Sequence, residues 1–151
     1  MSRFSQKAFL KMSQQGANNS GFREIEHIAD WELEVWAPDM SQLLQQSALG
    51  MYTLSGTSLA HSPREEREFA LDAQDAESLL VRFLTELLYL AETEKLAFDE
   101  FQLELFDHLL RARLGGALIA GQDKEIKAVT FHRMEIRETE RGLQVNIVFD
   151  V

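Results

Sequence analysis

Four histidines, twenty-five carboxylates and no cysteine limit the chemistry open to this chain. Without cysteine there are no disulfides, no thiolate metal sites and no thiol nucleophile. No GxSxG elbow occurs and the serines gather in loop-like stretches, so a Ser-His-Asp triad cannot be placed. HExxH, Walker and dinucleotide-loop patterns are absent, and Gly115-Gly116 precedes no helical pattern, so it is not a phosphate loop. Carboxylates are everywhere, and no spacing singles out a hydrolytic pair. Two short stretches remain: His27-Ile28-Ala29-Asp30 near the start of the patterned sequence, and Asp150-Val151 at its end. If Val151 is the true terminus, its α-carboxylate adds oxygens beside Asp150. Convergence of these groups with Asp30 would make a site for a hard cation, calcium or magnesium rather than zinc. Without a cation, three carboxylates brought together would repel one another. His27 would act as a ligand or as the hydrogen-bond partner that orients Asp30. The simpler alternative is that Asp30 caps a turn and Asp150 is a solvated chain end. His132, on an otherwise apolar face beside Thr130, reads as a core histidine, with a role backing the ligands of the same site as the alternative.

Several elements would have to position these residues. Residues 1–20 are polar and end in Gly16-Ala17-Asn18-Asn19-Ser20, which predicts a mobile extension ahead of a domain spanning 21–151. Residues 22–27 are extended in character. Trp31, Leu33, Val35 and Ala37 alternate with Glu32, Glu34 and Trp36, the pattern of a half-buried strand, and His27 to Asp30 fall at the bend between the two runs. Asp39, with Gln42 three residues on, caps a helix running to about Leu54. Residues 55–64 read as a loop holding a solvated His61, and 66–72 as a strand. Asp72 or Asp75 then caps the strongest helix, roughly 75–93. Its stripe of Leu80, Phe83, Leu84, Leu87, Leu88 and Ala91, widened by Leu79 and Leu90, should lie on a sheet.

Alternation through Phe101, Leu103 and Leu105, a turn at Asp107-His108, and alternation again through Leu110, Ala112 and Leu114 predict an antiparallel hairpin, broken or bulged at Gly115-Gly116. Residues 126–138 read as one long strand with Ala128, Thr130, His132, Met134 and Ile136 on one face. After Gly142 a last strand points Leu143, Val145, Ile147, Phe149 and Val151 inward. The resulting order, β-β-α-β-α-β-β-β-β, is an α+β fold: a mainly antiparallel sheet with two helices packed on it.

Composition narrows the function classes. At 151 residues and 45% hydrophobic content the chain has enough apolar material for one domain with a respectable core. No apolar run is long enough to span a bilayer, and the first twenty residues lack the core of a secretory signal, so a cytoplasmic location is expected. A formal net charge of −10 argues against direct nucleic-acid binding, because an acidic surface gains nothing from counterion release. It suits hard cations, a basic protein surface, or solubility alone.

Four blocks in this order resemble the archease family: His27-Ile28-Ala29-Asp30; the leucine-rich segment from Leu79 to Leu90; Lys127-Ala128-Val129-Thr130-Phe131-His132-Arg133-Met134; and terminal Asp150-Val151. The resemblance covers about residues 21–151. The family commonly has Thr where Ile28 stands, and neither this nor the change at Trp31-Glu32 removes a ligand. The resemblance implies an α+β fold related to the strand-helix-strand-strand module with an insertion. It implies a non-enzymatic accessory protein of an RtcB-type RNA ligase, which promotes guanylylation of the ligase and its multiple turnover in tRNA splicing and RNA repair. It also implies a divalent cation, typically calcium with magnesium or manganese as alternatives, held by Asp30, Asp150 and the Val151 carboxylate. A metal-dependent hydrolase using His27, Asp30 and Asp150, or a general protein chaperone or binding module, are the competing readings.

Overall fold

The structure, a computed structural model, describes residues 19–25 and 31–151. Its elements in chain order are β1 (Gly21–Ile25), β2 (Trp31–Ala37), α1 (Met40–Ser55), β3 (Ser58–Leu59), β4 (Glu65–Asp72), α2 (Ala76–Glu94), β5 (Leu96–Phe106), β6 (Leu109–Gly121), β7 (Ala128–Val129), β8 (Arg137–Thr139) and β9 (Gly142–Asp150). Every pairing is antiparallel. The strands form two sheets rather than the single one expected. One runs β1-β2-β9-β7 with β8 also on β9; the other runs β3-β6-β4 with β5 on the other side of β6.

Both helices start where the sequence places their caps. The Asp39 carboxylate accepts from the Gln42 backbone N–H at 2.9 Å, and Asp75 accepts from Ser78 N–H at 2.7 Å, each satisfying a donor that the first helical turn leaves free. The Asp75 carboxyl is held below its ordinary range by the Ser78 backbone and side-chain hydrogen bonds. Helix α1 ends at Gly56 in the left-handed conformation (φ 66°), where a side chain would also strike Asp123. Helix α2 buries Leu79, Leu80, Val81, Phe83, Leu84, Leu87 and Leu90. These join Leu33, Val35 and Ala37 of β2, Leu43, Leu44 and Met51 of α1, Leu96, Phe98, Leu110 and Leu114 of the hairpin, and Val145, Ile147 and Phe149 of β9 in one core.

Three local expectations are settled or corrected. Of the break or bulge expected at Gly115-Gly116, the structure has the irregularity and not the break: β6 continues to Gly121, and the register shift at Phe98/Glu100 of β5 lies directly opposite the glycine pair, where a Cβ added to Gly116 would be 1.9 Å from the Ala97 carbonyl oxygen. Residues 58–59, expected in a loop, form the short strand β3 on β6. Residues 126–138 are not one strand: β7 stops after Val129 and β8 begins only at Arg137. Between them the Met134 N–H donates to the Phe131 carbonyl, Arg133 adopts φ 55°, and the Ile136 N–H donates to the Glu77 carboxylate of α2 at 2.9 Å.

Candidate functional site

Strand β9 organises the site region. It is the centre of its sheet, with β2 on one side and β7 and β8 on the other. Its inward residues Val145, Ile147 and Phe149 are fully buried, and Val151 continues this face, half-buried against the core. Alternation along a strand therefore turns Asp150 outward, where it is exposed. Its backbone carbonyl accepts from Lys127 N–H at 2.8 Å, and Ala128 is its partner across the ladder. Among the described residues no arginine or lysine forms an ion pair with the Asp150 carboxylate. On the other flank Trp31 pairs with Phe149, so β2 begins one rung from Asp150. Lys124 Nζ stands 5.3 Å from the centre of the Trp31 ring.

His27 and Asp30 lie outside the described residues. Asp30 is bonded to Trp31, whose ladder partner Phe149 is bonded to Asp150. His132 is described, and it is not a core residue: it is exposed in the turn after β7. Its backbone N–H donates to Thr130 Oγ1 at 3.3 Å, while the Thr130 hydroxyl and N–H both donate to the Val148 carbonyl at 3.0 Å. Because β7 runs antiparallel to β9, Val129 stands opposite Phe149, one rung further from the chain end than Ala128 opposite Asp150. Among the described residues no three His, Asp or Glu side chains converge into a metal-binding group.

Further along the same outer face lies a polar cluster that the spacing of residues in the sequence does not reveal. Asn146 Nδ2 donates to Glu32 Oε2 at 2.7 Å. Glu34 is only 7% exposed and accepts from Arg23 Nη2 at 2.9 Å and Arg141 Nη2 at 2.7 Å. Burial pushes the Glu34 carboxyl up, but the hydrogen bonds and charges of Arg141 and Arg23 outweigh it and hold the group below its ordinary range. The Arg141 guanidinium also lies 4.2 Å from the centre of the Trp36 ring and donates to Gln144 Oε1 at 3.0 Å. Trp36 is thereby 1% exposed although it sits on the face away from the helices. The alternation Glu32, Glu34, Trp36 on one strand and Gln144, Asn146 on the other is visible in the sequence. The register that pairs them is not.

Between the exposed side of α2 and the segment 122–129 runs an open groove of about 660 Å³, lined by Leu88, Tyr89, Lys95, Ile126, Lys127 and Val129 among others. Lys127 and Ala128 thus border both this groove and the backbone of Asp150.

Comparison with known proteins converges on one family. Residues 22–151 match the model of the archease protein family (MTH1598/TM1083). Protein archease of Methanosarcina mazei is 30% identical over 139 residues, covering 86% of this chain and 95% of the relative. Protein archease of Methanothermobacter thermautotrophicus is also 30% identical over 139 residues, covering 87% of this chain and 99% of the relative. The solution structure of Methanobacterium thermoautotrophicum protein 1598 superposes with a TM-score of 0.66 at 26% identity, over 87% of this chain and 99% of that one. A Thermotoga maritima archease, described as a possible chaperone, shares the fold with a TM-score of 0.64 at 21% identity, over 85% of this chain and 96% of that one. With a family match running from β1 to the last residue and relatives aligned over nearly their whole length, this chain belongs to the archease family.

Proposed function

We propose that this chain is a non-catalytic activator of an RtcB-type RNA ligase, promoting guanylylation of the ligase and its repeated turnover in tRNA splicing and RNA repair. Its working site is a divalent-cation site built from Asp30, Asp150 and the Val151 α-carboxylate. The observation that carries the reading is the end of β9: an outward carboxylate with no basic partner among the described residues, beside a terminal residue anchored on the core. The donor set fits a hard cation, since carboxylate oxygens suit calcium, magnesium or manganese and no thiolate is available. A bound cation would supply a local positive charge for positioning an anionic group. Asp150 contributes its carboxylate from a central strand, Val151 packs against the core and so fixes the direction of the chain end, and Asp30 adjoins the strand that flanks both. The contribution is electrostatic positioning without covalent chemistry.

The test is ligase guanylylation and multiple-turnover joining, measured with and without this protein. Asp30→Ala and Asp150→Ala should each abolish the stimulation while leaving the fold intact. Unchanged stimulation by both variants would overturn the reading. A variant extended beyond Val151 has an amide in place of the α-carboxylate, and calorimetry should show weaker calcium binding. The protein alone should turn over no phosphoester, which separates this reading from a metal-dependent hydrolase. A general chaperone activity is the second reading, motivated by the exposed apolar side chains of Tyr89, Phe106, Leu118 and Phe131. It predicts protection of unrelated clients, independent of Asp30 and Asp150.

A further inference from the structure

Strand β5 is one edge of the second sheet: among the described residues it pairs only with β6. The two-residue turn Asp107-His108 closes this hairpin on the pair Phe106 and Leu109. In such a hairpin the closing pair exchanges its backbone hydrogen bonds, and the rungs then alternate between bonded and non-bonded. Phe106, Glu104 and Gln102 therefore direct their N–H and C=O groups to β6, whereas those of Leu105, Leu103 and Phe101 point to the open edge. The side chains of the same three residues are only half-buried, and they line the face of the sheet that packs on the core. Phe106, at the tip, is 59% exposed. Few of the devices that normally blunt an edge are present here: residues 101–106 contain no lysine and no proline and a single charge, Glu104, and the bulge lies behind them, at Phe98/Glu100.

We propose that this edge is a self-association site, at which β5 of a second copy of the chain pairs antiparallel about Leu103. The alternation of apolar residues with Gln102 and Glu104 selects both the partner and the register. With Leu103 opposite Leu103 of the second copy, Phe101 meets Leu105 and Gln102 meets Glu104, twice each by symmetry. The core-side row then becomes a continuous apolar band, and the outer row holds amide–carboxylate pairs. Moving the register two residues either way keeps the faces matched but sets Glu104 against Glu104, or Glu100 against Glu104, both repulsive. The pairing supplies about six backbone hydrogen bonds across the new ladder. An edge contact this small makes the association weak and concentration-dependent.

The experiment is sedimentation equilibrium on the full chain over roughly a hundredfold range of concentration. Wild type is expected to move reversibly between monomer and dimer. Gln102→Glu opposes two carboxylate pairs across the two-fold axis and should weaken the dimer about fivefold, and Gln102→Arg should tighten it by about the same factor. Gln102→Glu combined with Glu104→Gln recreates the original pairs in reverse and should restore wild-type association. Both side chains are exposed on the outer face, opposite Arg113 and Arg111 of β6, so midpoints shift modestly with the new charges, and circular dichroism matching wild type confirms that the fold is untouched. A chain that stays monomeric at every concentration, or a dimer indifferent to all three variants, would overturn the proposal.

Discussion

Replacing Glu34 by glutamine should destabilise the protein by about 2 kcal/mol at neutral pH. The carboxylate is 10% exposed and bridges Arg23 at 2.9 Å and Arg141 at 2.7 Å. Hydrogen bonds to charged groups contribute about 1.5–3 kcal/mol each when protected from water. Here the arginine side chains are 63% and 42% exposed, and solvent screening brings each bond down towards the surface range of about 1 kcal/mol. Glutamine keeps the shape and one acceptor but loses the charge, so two screened bonds of about 1 kcal/mol set the loss. For a chain of this size that is a fall in Tm of about 4–8 °C. The pH dependence carries the sharper signature. The folded state holds the Glu34 carboxyl below its ordinary value of 4.5. A depressed carboxylate contributes stability that is present above the unfolded value and is lost as pH falls through the folded one. Wild type and Glu34→Gln should therefore differ at pH 7 and converge below pH 4.5. Urea unfolding at a series of pH values, followed by tryptophan fluorescence, reads this directly, because Arg141 also covers Trp36. Equal stability at pH 7, or a gap that persists undiminished in acid, would refute the reasoning.

Gly116→Ala should cost about 3 kcal/mol, at the upper end of overpacking penalties, because the new Cβ would fall on the Ala97 carbonyl oxygen; chemical denaturation checks it. Tyr52→Phe should raise stability by about 1 kcal/mol, since among the described residues its buried hydroxyl has no hydrogen-bond partner. Burial pushes the ionisation of this group well up, which the nearby Phe98 backbone, short of bonding geometry, offsets only in part. A loss of stability in Tyr52→Phe would show that the hydroxyl is satisfied. Glu77→Ala removes the acceptor of the Ile136 N–H, so hydrogen exchange at Ile136 should accelerate while amides in the middle of β9 remain protected.

Helices α1 and α2 were legible because their periodicity and caps are local. Asp39 and Asp75 reach backbone N–H groups three residues away, and a stripe of leucines buries itself wherever the sheet lies. Strands β2 and β9 and the β5–β6 hairpin were legible for the same reason, each carrying its own alternation. The segment 126–138 was not. Its alternation satisfies a strand pattern equally well, but the Ile136 N–H bonds a carboxylate 59 residues earlier. The Thr130 hydroxyl and N–H both turn to Val148. Those bonds, with Arg133 in a left-handed turn, end β7 and bring His132 into solvent.

The candidate site divides in the same way. Residue types alone suggested the chemistry proposed for it: without cysteine and with carboxylates near both ends of the domain, oxygen donors suited to a hard cation were the choice to weigh against a solvated chain end. Alternation alone determined that Val151 faces the core and Asp150 faces away. Only the tertiary structure decided that the start of β2 lies beside the end of β9, since strand register is a long-range property set by which faces can be buried together. It alone decided that Glu34 and Trp36, on the face away from the helices, are buried as deeply as core residues, because Arg141, far along the chain, closes over both.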